Sequence, residues 1–143
     1  MSWLSRWRGK HVTKIYVDGV WDLFHYGHVE MLRHAKSLGD YLIVGIHSDK
    51  DVAKYKRKPI MVLRERHRVV SAIKWVDNTI QEAPLVITRK LIWDFKIDIV
   101  LHGTDKDENF KKMYEVPIKL GIMRYAPYTK GISTTAIIGR ING

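Results

Sequence analysis

Residues 14–46 read KIYVDGVWDLFHYGHVEMLRHAKSLGDYLIVGI, and this stretch decides the fold class. Lys14–Gly19 reads as a short strand. From His28 to Leu38 the small and apolar residues Val29, Leu32 and Ala35 recur three apart, which is helical spacing, and Gly39 marks the stop. Tyr41–Ile46 is then an unbroken apolar run, suited to a strand buried on both faces of a parallel sheet. Strand, helix and strand follow one another with short joints.

The same alternation continues outward. Leu63–Lys74 has helical spacing through Val69, Val70 and Ile73. Asn78–Gln81 reads as a strand, Ile87–Phe95 as a helix and Ile97–Leu101 as a buried strand. Phe110–Leu120 reads as a helix interrupted by Pro117, Ile122–Ala126 as a strand and Ser133–Ile141 as a last helix. Ser48–Ile60 reads as a charged loop. This order predicts an α/β fold of three layers, with a parallel sheet of about five strands covered on both faces. In such sheets ligands bind beyond the carboxyl ends of the strands. The loops of interest are therefore 18–28, 47–59, 102–107 and 127–134.

Composition narrows the function classes. The chain has 143 residues, no Cys and a formal net charge of +10. Its length suits one domain with a core of its own. The absence of Cys excludes a disulfide scaffold, a Cys-based zinc site and a thiol nucleophile, and fits a reducing compartment. The longest clean apolar run is too short to span a bilayer. Residues 1–12 are expected to form a basic arm without the apolar segment of a secretory signal, and 13–143 a single domain. The charge predicts an anionic partner. It is concentrated in two blocks, residues 1–14 at +4 and residues 54–74 at +7.

The loop after the first strand contains neither Gly-x-Gly-x-x-Gly nor a Walker sequence. It offers His25-Tyr-Gly-His28 at the start of a helix. Two His three apart can face one ligand there, Gly27 admits close approach, and the helix N-terminus adds unpaired N–H groups. Imidazole N–H donors in that setting suit a phosphoryl transition state. Taken alone, His-x-x-His is equally two unrelated surface residues, since the chain has seven His.

His25-Tyr-Gly-His28 resembles the His-x-Gly-His signature of the nucleotidylyltransferase superfamily. Gly131-Ile-Ser-Thr-Thr135 resembles the second signature of its cytidylyltransferase branch. The two occur in order near opposite ends of one α/β pattern, and the resemblance runs from about Ile15 to Ile141. Within the branch, Asp40–Asp49, Ala53–Lys56, Glu65-Arg66, Ala72–Asp77 and His102–Asp105 look most like the phosphoethanolamine-using members. The phosphocholine and glycerol 3-phosphate enzymes share the core motifs, so those acceptors stay open.

The resemblance implies a Rossmann-like nucleotidylyltransferase fold and a reaction of CTP, with Mg2+, and a phosphoalcohol. The products would be a CDP-alcohol and pyrophosphate. It implies His25, His28 and Lys56 as catalytic. It implies contacts to nucleotide or phosphate from Asp18, Gly19, Val20, Asp22, Gly27, Lys54 and Arg66, with Arg66 near the acceptor phosphate. It adds His102, Gly103 and Asp105 after the fourth strand. It places Tyr128, Thr129, Gly131, Ile132, Ser133, Thr134 and Thr135 around the last loop. No protein metal ligand is implied, since Mg2+ is bound mainly through the CTP phosphates. Trp75-Val-Asp77 matches a segment used at a dimer interface, so a homodimer is expected, in the cytoplasm. The second charge block then answers to small anionic substrates, and no nucleic-acid partner is expected. The N-terminal arm, with Trp3 and Trp7 among cations, leaves weak contact with a membrane surface open.

Three departures from the family pattern stand out. Tyr128 and Lys130 occupy positions usually Arg and Glu, and Tyr cannot give the bidentate phosphate contact of Arg. Arg57 replaces the Gly after the second loop lysine. The chain carries one such domain where the phosphoethanolamine enzymes carry two. A nucleotide-binding relative with weakened turnover is the competing expectation.

Overall fold

The computed structural model describes residues 9–104 and 108–143. The N-terminal residues 1–8 of the expected basic arm, and Asp105 with its two successors, lie outside the described residues.

Five strands form one parallel sheet: β1 Lys14–Gly19, β2 Tyr41–Ile46, β3 Asn78–Gln81, β4 Ile99–Gly103 and β5 Met123–Ala126. Their order across the sheet is β3-β2-β1-β4-β5. The chain walks outward from β1 to β3, then crosses back to β4 on the other side of β1. The carboxyl ends of β1 and β4 therefore flank the reversal where such sheets bind ligands. Register is tight there, with Val17 opposite Leu101 and Gly19 opposite Ile46.

The period-two alternation of β1 builds two cores. Ile15 and Val17 point to one face, where they pack with Leu42, Val44 and Ile46 of β2. Leu32 and Ala35 of helix α1 (Tyr26–Ser37) close that face. Tyr16 and Ile43 point to the other. Leu91 and Ile92 of a later helix, and Phe110 and Tyr114 of the next, pack there. Helices thus cover both faces, as the alternation predicted.

Four of the remaining helices match the sequence pattern within a few residues, and one does not. The charged loop contains a helix, α2 Asp49–Tyr55. Ser48 caps it, its Oγ accepting the Asp51 N–H, and Asp49 and Asp51 favour the positive first turn. One buried apolar residue, Val52, is too few to show a period. The others are α3 Leu63–Ser71, α4 Arg89–Phe95, α5 Phe110–Lys119 and α6 Thr134–Asn142. Pro117 bends α5: Tyr114 leaves helical geometry at φ −114°, ψ 15°. The Met113 carbonyl, which cannot receive an N–H from Pro117, accepts the Ile87 N–H at 2.9 Å. Among the described residues, no helix is long and apolar enough to cross a membrane.

Candidate active site

A pocket of about 850 Å³ opens at the carboxyl ends of β1 and β4. Its floor is Asp18, Gly19, His102 and Gly103; its walls are the loop into α1, then Lys56, Arg57 and Pro59, and the loop into α6. Every candidate loop named from the sequence contributes to it.

The loop from β1 into α1 is held in an unusual shape. Trp21 and Leu23 have positive φ, 61° and 46°. Such backbone is costly for residues with a Cβ and persists where surroundings enforce it. The Trp21 indole is buried and its Nε1–H donates to the Gly45 carbonyl at 3.0 Å. Asp22, also buried, accepts N–H groups from Leu23, Ile60 and Met61 at 2.8–3.1 Å. Asp22 was expected to contact nucleotide or phosphate. Asp22 lines the pocket, and its oxygens tie the β1 loop to the segment before α3.

His25 is the N-cap of α1, and its Nδ1 accepts the Gly27 N–H at 3.1 Å. His28, three residues on, accepts the His25 N–H at its own Nδ1, also 3.1 Å. The pair forms a capping box built from imidazoles. Because each Nδ1 is an acceptor, each neutral ring carries its proton on Nε2. The rings stack with centroids 3.8 Å apart. Burial, with the neighbouring His25 and Lys56, lowers the His28 pKa to about 3. Burial lowers that of His25 as well. Both are neutral N–H donors at pH 7.

Gly27 has a steric reason to be Gly. A Cβ there would lie 2.9 Å from His25 Cε1 and 3.2 Å from Ile132 Cγ2. Ile132 belongs to the second signature, so this contact brings the two sequence motifs together. Ser133 caps α6, its Oγ accepting the Ala136 N–H at 3.0 Å. The Thr134 hydroxyl donates to the Asp22 carbonyl at 3.0 Å and stands 3.4 Å from His25 Nε2. Gly131 takes φ 85° in the turn that delivers them. Thr129 and Thr135 line the same wall, and Val20 the opposite one.

Lys56 ends α2 in extended backbone and reaches the pocket. Lys54, placed with it by sequence, is exposed outside the pocket lining and pairs with Asp51 at 3.3 Å. The helix explains this, since residues two apart on a helix face different directions. Arg66 was expected near the acceptor phosphate. It is fully buried and does not line the pocket. It donates to the carbonyls of Met61, Val20 and His47 and to Asp49 Oδ1 at 2.5–2.9 Å. Its donors hold the loops behind the pocket rather than a phosphate within it.

Asp18 is buried beneath the floor and accepts the Tyr114 hydroxyl at 2.6 Å. His47 Nε2 lies 3.1 Å from its other oxygen, and His47 Nδ1 lies 3.1 Å from the Tyr55 hydroxyl. This chain of four side chains joins β1, the residue after β2, α2 and α5, and Lys56 Nζ stands 5.7 Å from the Tyr55 ring centre. His47, Tyr55 and Tyr114 were not among the site residues expected from sequence, because their partners come from other elements and only the fold brings them together. The ring of His102 packs on Phe110 and Tyr114. Tyr128 packs on Gly103, where a Cβ would come within 2.8 Å of its ring. Arg57 and Trp21, not counted among the site residues from sequence, also line the pocket.

Trp75 and Val76 pack against the first core. Asp77 accepts from Lys36 Nζ at 2.5 Å and from the Leu42 N–H at 2.8 Å. Asp77 is thereby fixed beside the start of β2, just before β3.

Two neutral imidazole donors, two helix N-termini and a lysine converge on one opening. Such a site suits a phosphate group whose charge redistributes during reaction. The family described as "Cytidylyltransferase-like" matches residues 16–140. An ethanolamine-phosphate cytidylyltransferase of Arabidopsis thaliana is 45% identical over 93% of this chain and 33% of its own length. One from Dictyostelium discoideum is 39% identical over 96% of this chain and 39% of its own. The chain thus spans about two fifths or less of these relatives. A crystal structure described as the lipopolysaccharide core biosynthesis protein from Thermoplasma volcanium GSS1 superposes with a TM-score of 0.68. It is 27% identical and covers 85% of this chain and 100% of that one.

Proposed function

The chain belongs to the cytidylyltransferase-like family, and on that premise we propose that it transfers a cytidylyl group from CTP to phosphoethanolamine. A phosphate oxygen of the acceptor attacks the α-phosphorus of CTP. The new P–O bond forms as the bond to the β-phosphate oxygen breaks, giving CDP-ethanolamine and pyrophosphate. The observation that carries this reading is the His25–His28 pair, two Nε2–H donors fixed by backbone N–H groups at the mouth of α1. Their neutrality matters. They donate Nε2–H hydrogen bonds to the reacting phosphate without giving up the proton, and their orientation is set before substrate arrives. Lys56 supplies mobile positive charge as negative charge shifts toward the leaving pyrophosphate. Thr134 and the N-terminus of α6 hold the phosphates from the other wall.

Mg2+ enters on the triphosphate, as part of the substrate. Among the described residues no three His, Asp or Glu side chains cluster as a metal site, and Asp18 and Asp22 already accept internal hydrogen bonds. A homodimer covering the Trp75–Asp77 segment and a cytoplasmic location belong to the same reading. The experiment is 31P NMR of the purified chain with CTP, Mg2+ and a panel of phosphoethanolamine, phosphocholine and glycerol 3-phosphate. CDP-ethanolamine and pyrophosphate should accumulate together, fastest with phosphoethanolamine. No pyrophosphate with any acceptor would overturn the proposal.

A further inference from the structure

Arg57 brings a guanidinium to the pocket wall next to Lys56. Its ionic neighbour is Asp22, whose Oδ2 lies 3.9 Å from Arg57 Nη2. That is beyond hydrogen-bond distance. The Asp22 oxygens already accept three backbone N–H groups. The pair therefore attracts the guanidinium toward the pocket without occupying its donors.

The other guanidinium groups near the site are committed. Arg66 is buried among three carbonyls and Asp49. Arg33, at the pocket rim, is paired with Glu30. Across the opening, Tyr128 presents a ring packed on Gly103, so the loop into α6 offers no guanidinium at that point. Lys56 is in extended backbone, φ −135° and ψ −168°. Successive side chains diverge from such backbone, so Lys56 and Arg57 reach the pocket from two directions.

We infer that Arg57 grips a phosphate of the bound substrates through its paired N–H groups, acting beside Lys56 as the site's bidentate phosphate-binding residue. The inference rests on the transferase reading above. Lysine provides a point charge, whereas a guanidinium matches two phosphate oxygens at once and so fixes orientation. The phosphate belongs either to the nucleotide beyond its α-position or to the acceptor, and the chemistry is the same for both.

The test uses the full chain and two variants, Arg57→Gln and Arg57→Lys, each checked for an unchanged melting profile. CTP and CMP are titrated at equilibrium, and KM for phosphoethanolamine is measured at saturating CTP. Arg57→Gln should weaken CTP binding or raise the acceptor KM about ten- to a hundred-fold, the effect of losing a charge-assisted pair. Arg57→Lys should recover only part of it. Loss for CTP but not CMP assigns the grip to the outer phosphates; a raised acceptor KM assigns it to the acceptor phosphate. If wild type binds CTP and Arg57→Gln leaves both quantities within about two-fold, below the effect of one net hydrogen bond, the inference is overturned alone. If wild type binds neither substrate, the transferase reading falls and the inference with it.

Discussion

His25 and His28 share one backbone device: the ring of His28 accepts the N–H of His25, whose own ring accepts the N–H of Gly27. Both Nδ1 atoms are thereby occupied by donors that cannot leave. The helix that positions the pair also fixes their tautomers, and each keeps a proton at Nε2 for a ligand. The device that caps α1 therefore also aims two N–H donors.

Gly27→Ala should disable the pair while leaving the fold in place. The new Cβ would sit 2.9 Å from His25 Cε1 and 3.2 Å from Ile132 Cγ2. The His25 ring must then move by several tenths of an ångström. Misplacement on the scale of 1 Å costs up to about a hundred-fold in rate. Steady-state turnover should fall at least about ten-fold, with near-native circular dichroism. Wild-type turnover would show that the ring position is not critical.

Arg66→Met should act on stability. It would leave the carbonyls of Val20, Met61 and His47 without their donor and Asp49 without its partner. Removing one side of such a buried arrangement costs about 3 kcal/mol. Urea unfolding should register that loss. A variant of undiminished stability with a raised acceptor KM would instead place Arg66 on the acceptor phosphate.

Acid should destabilise the protein in part through His28. Its pKa in the folded chain is about 3, against an ordinary 6.5. As pH falls below about 6.5 the unfolded chain takes up a proton that the folded chain refuses. Stability is therefore full above that pH and declines as pH drops toward 3. Between pH 7 and pH 5 this group alone removes about 2 kcal/mol. Urea midpoints of wild type should fall more steeply over that range than those of His28→Asn. Parallel curves would contradict the burial of a neutral ring.

The sequence made the sheet legible because its strands are short apolar runs spaced by helices of clear period. Tyr41–Ile46 and Asn78–Gln81 have the predicted bounds. Helix α2 was hidden because Val52 is its one buried residue, too few to show a helical period. The site was legible where chemistry is local. His25, Gly27, His28 and the Ser133–Thr135 cap all sit beside the motifs that name them. It was not legible where function depends on what a side chain meets across the fold. Arg66 and Asp22 have residue types that suit phosphate or metal, yet both hold backbone groups from distant loops. Arg57 stands out in the sequence only as a departure from the family's Gly, and its place at the pocket wall appears once β1 and α2 are set side by side.

The most direct measurement compares wild type with His28→Ala for pyrophosphate release from CTP and phosphoethanolamine. Each protein is first shown to be folded and to bind CTP. Removing one preorganised donor to a transition state costs about a hundred- to a thousand-fold in rate. The account predicts a loss of that size in kcat, with CTP affinity changed far less. Equal turnover by His28→Ala and wild type would contradict it.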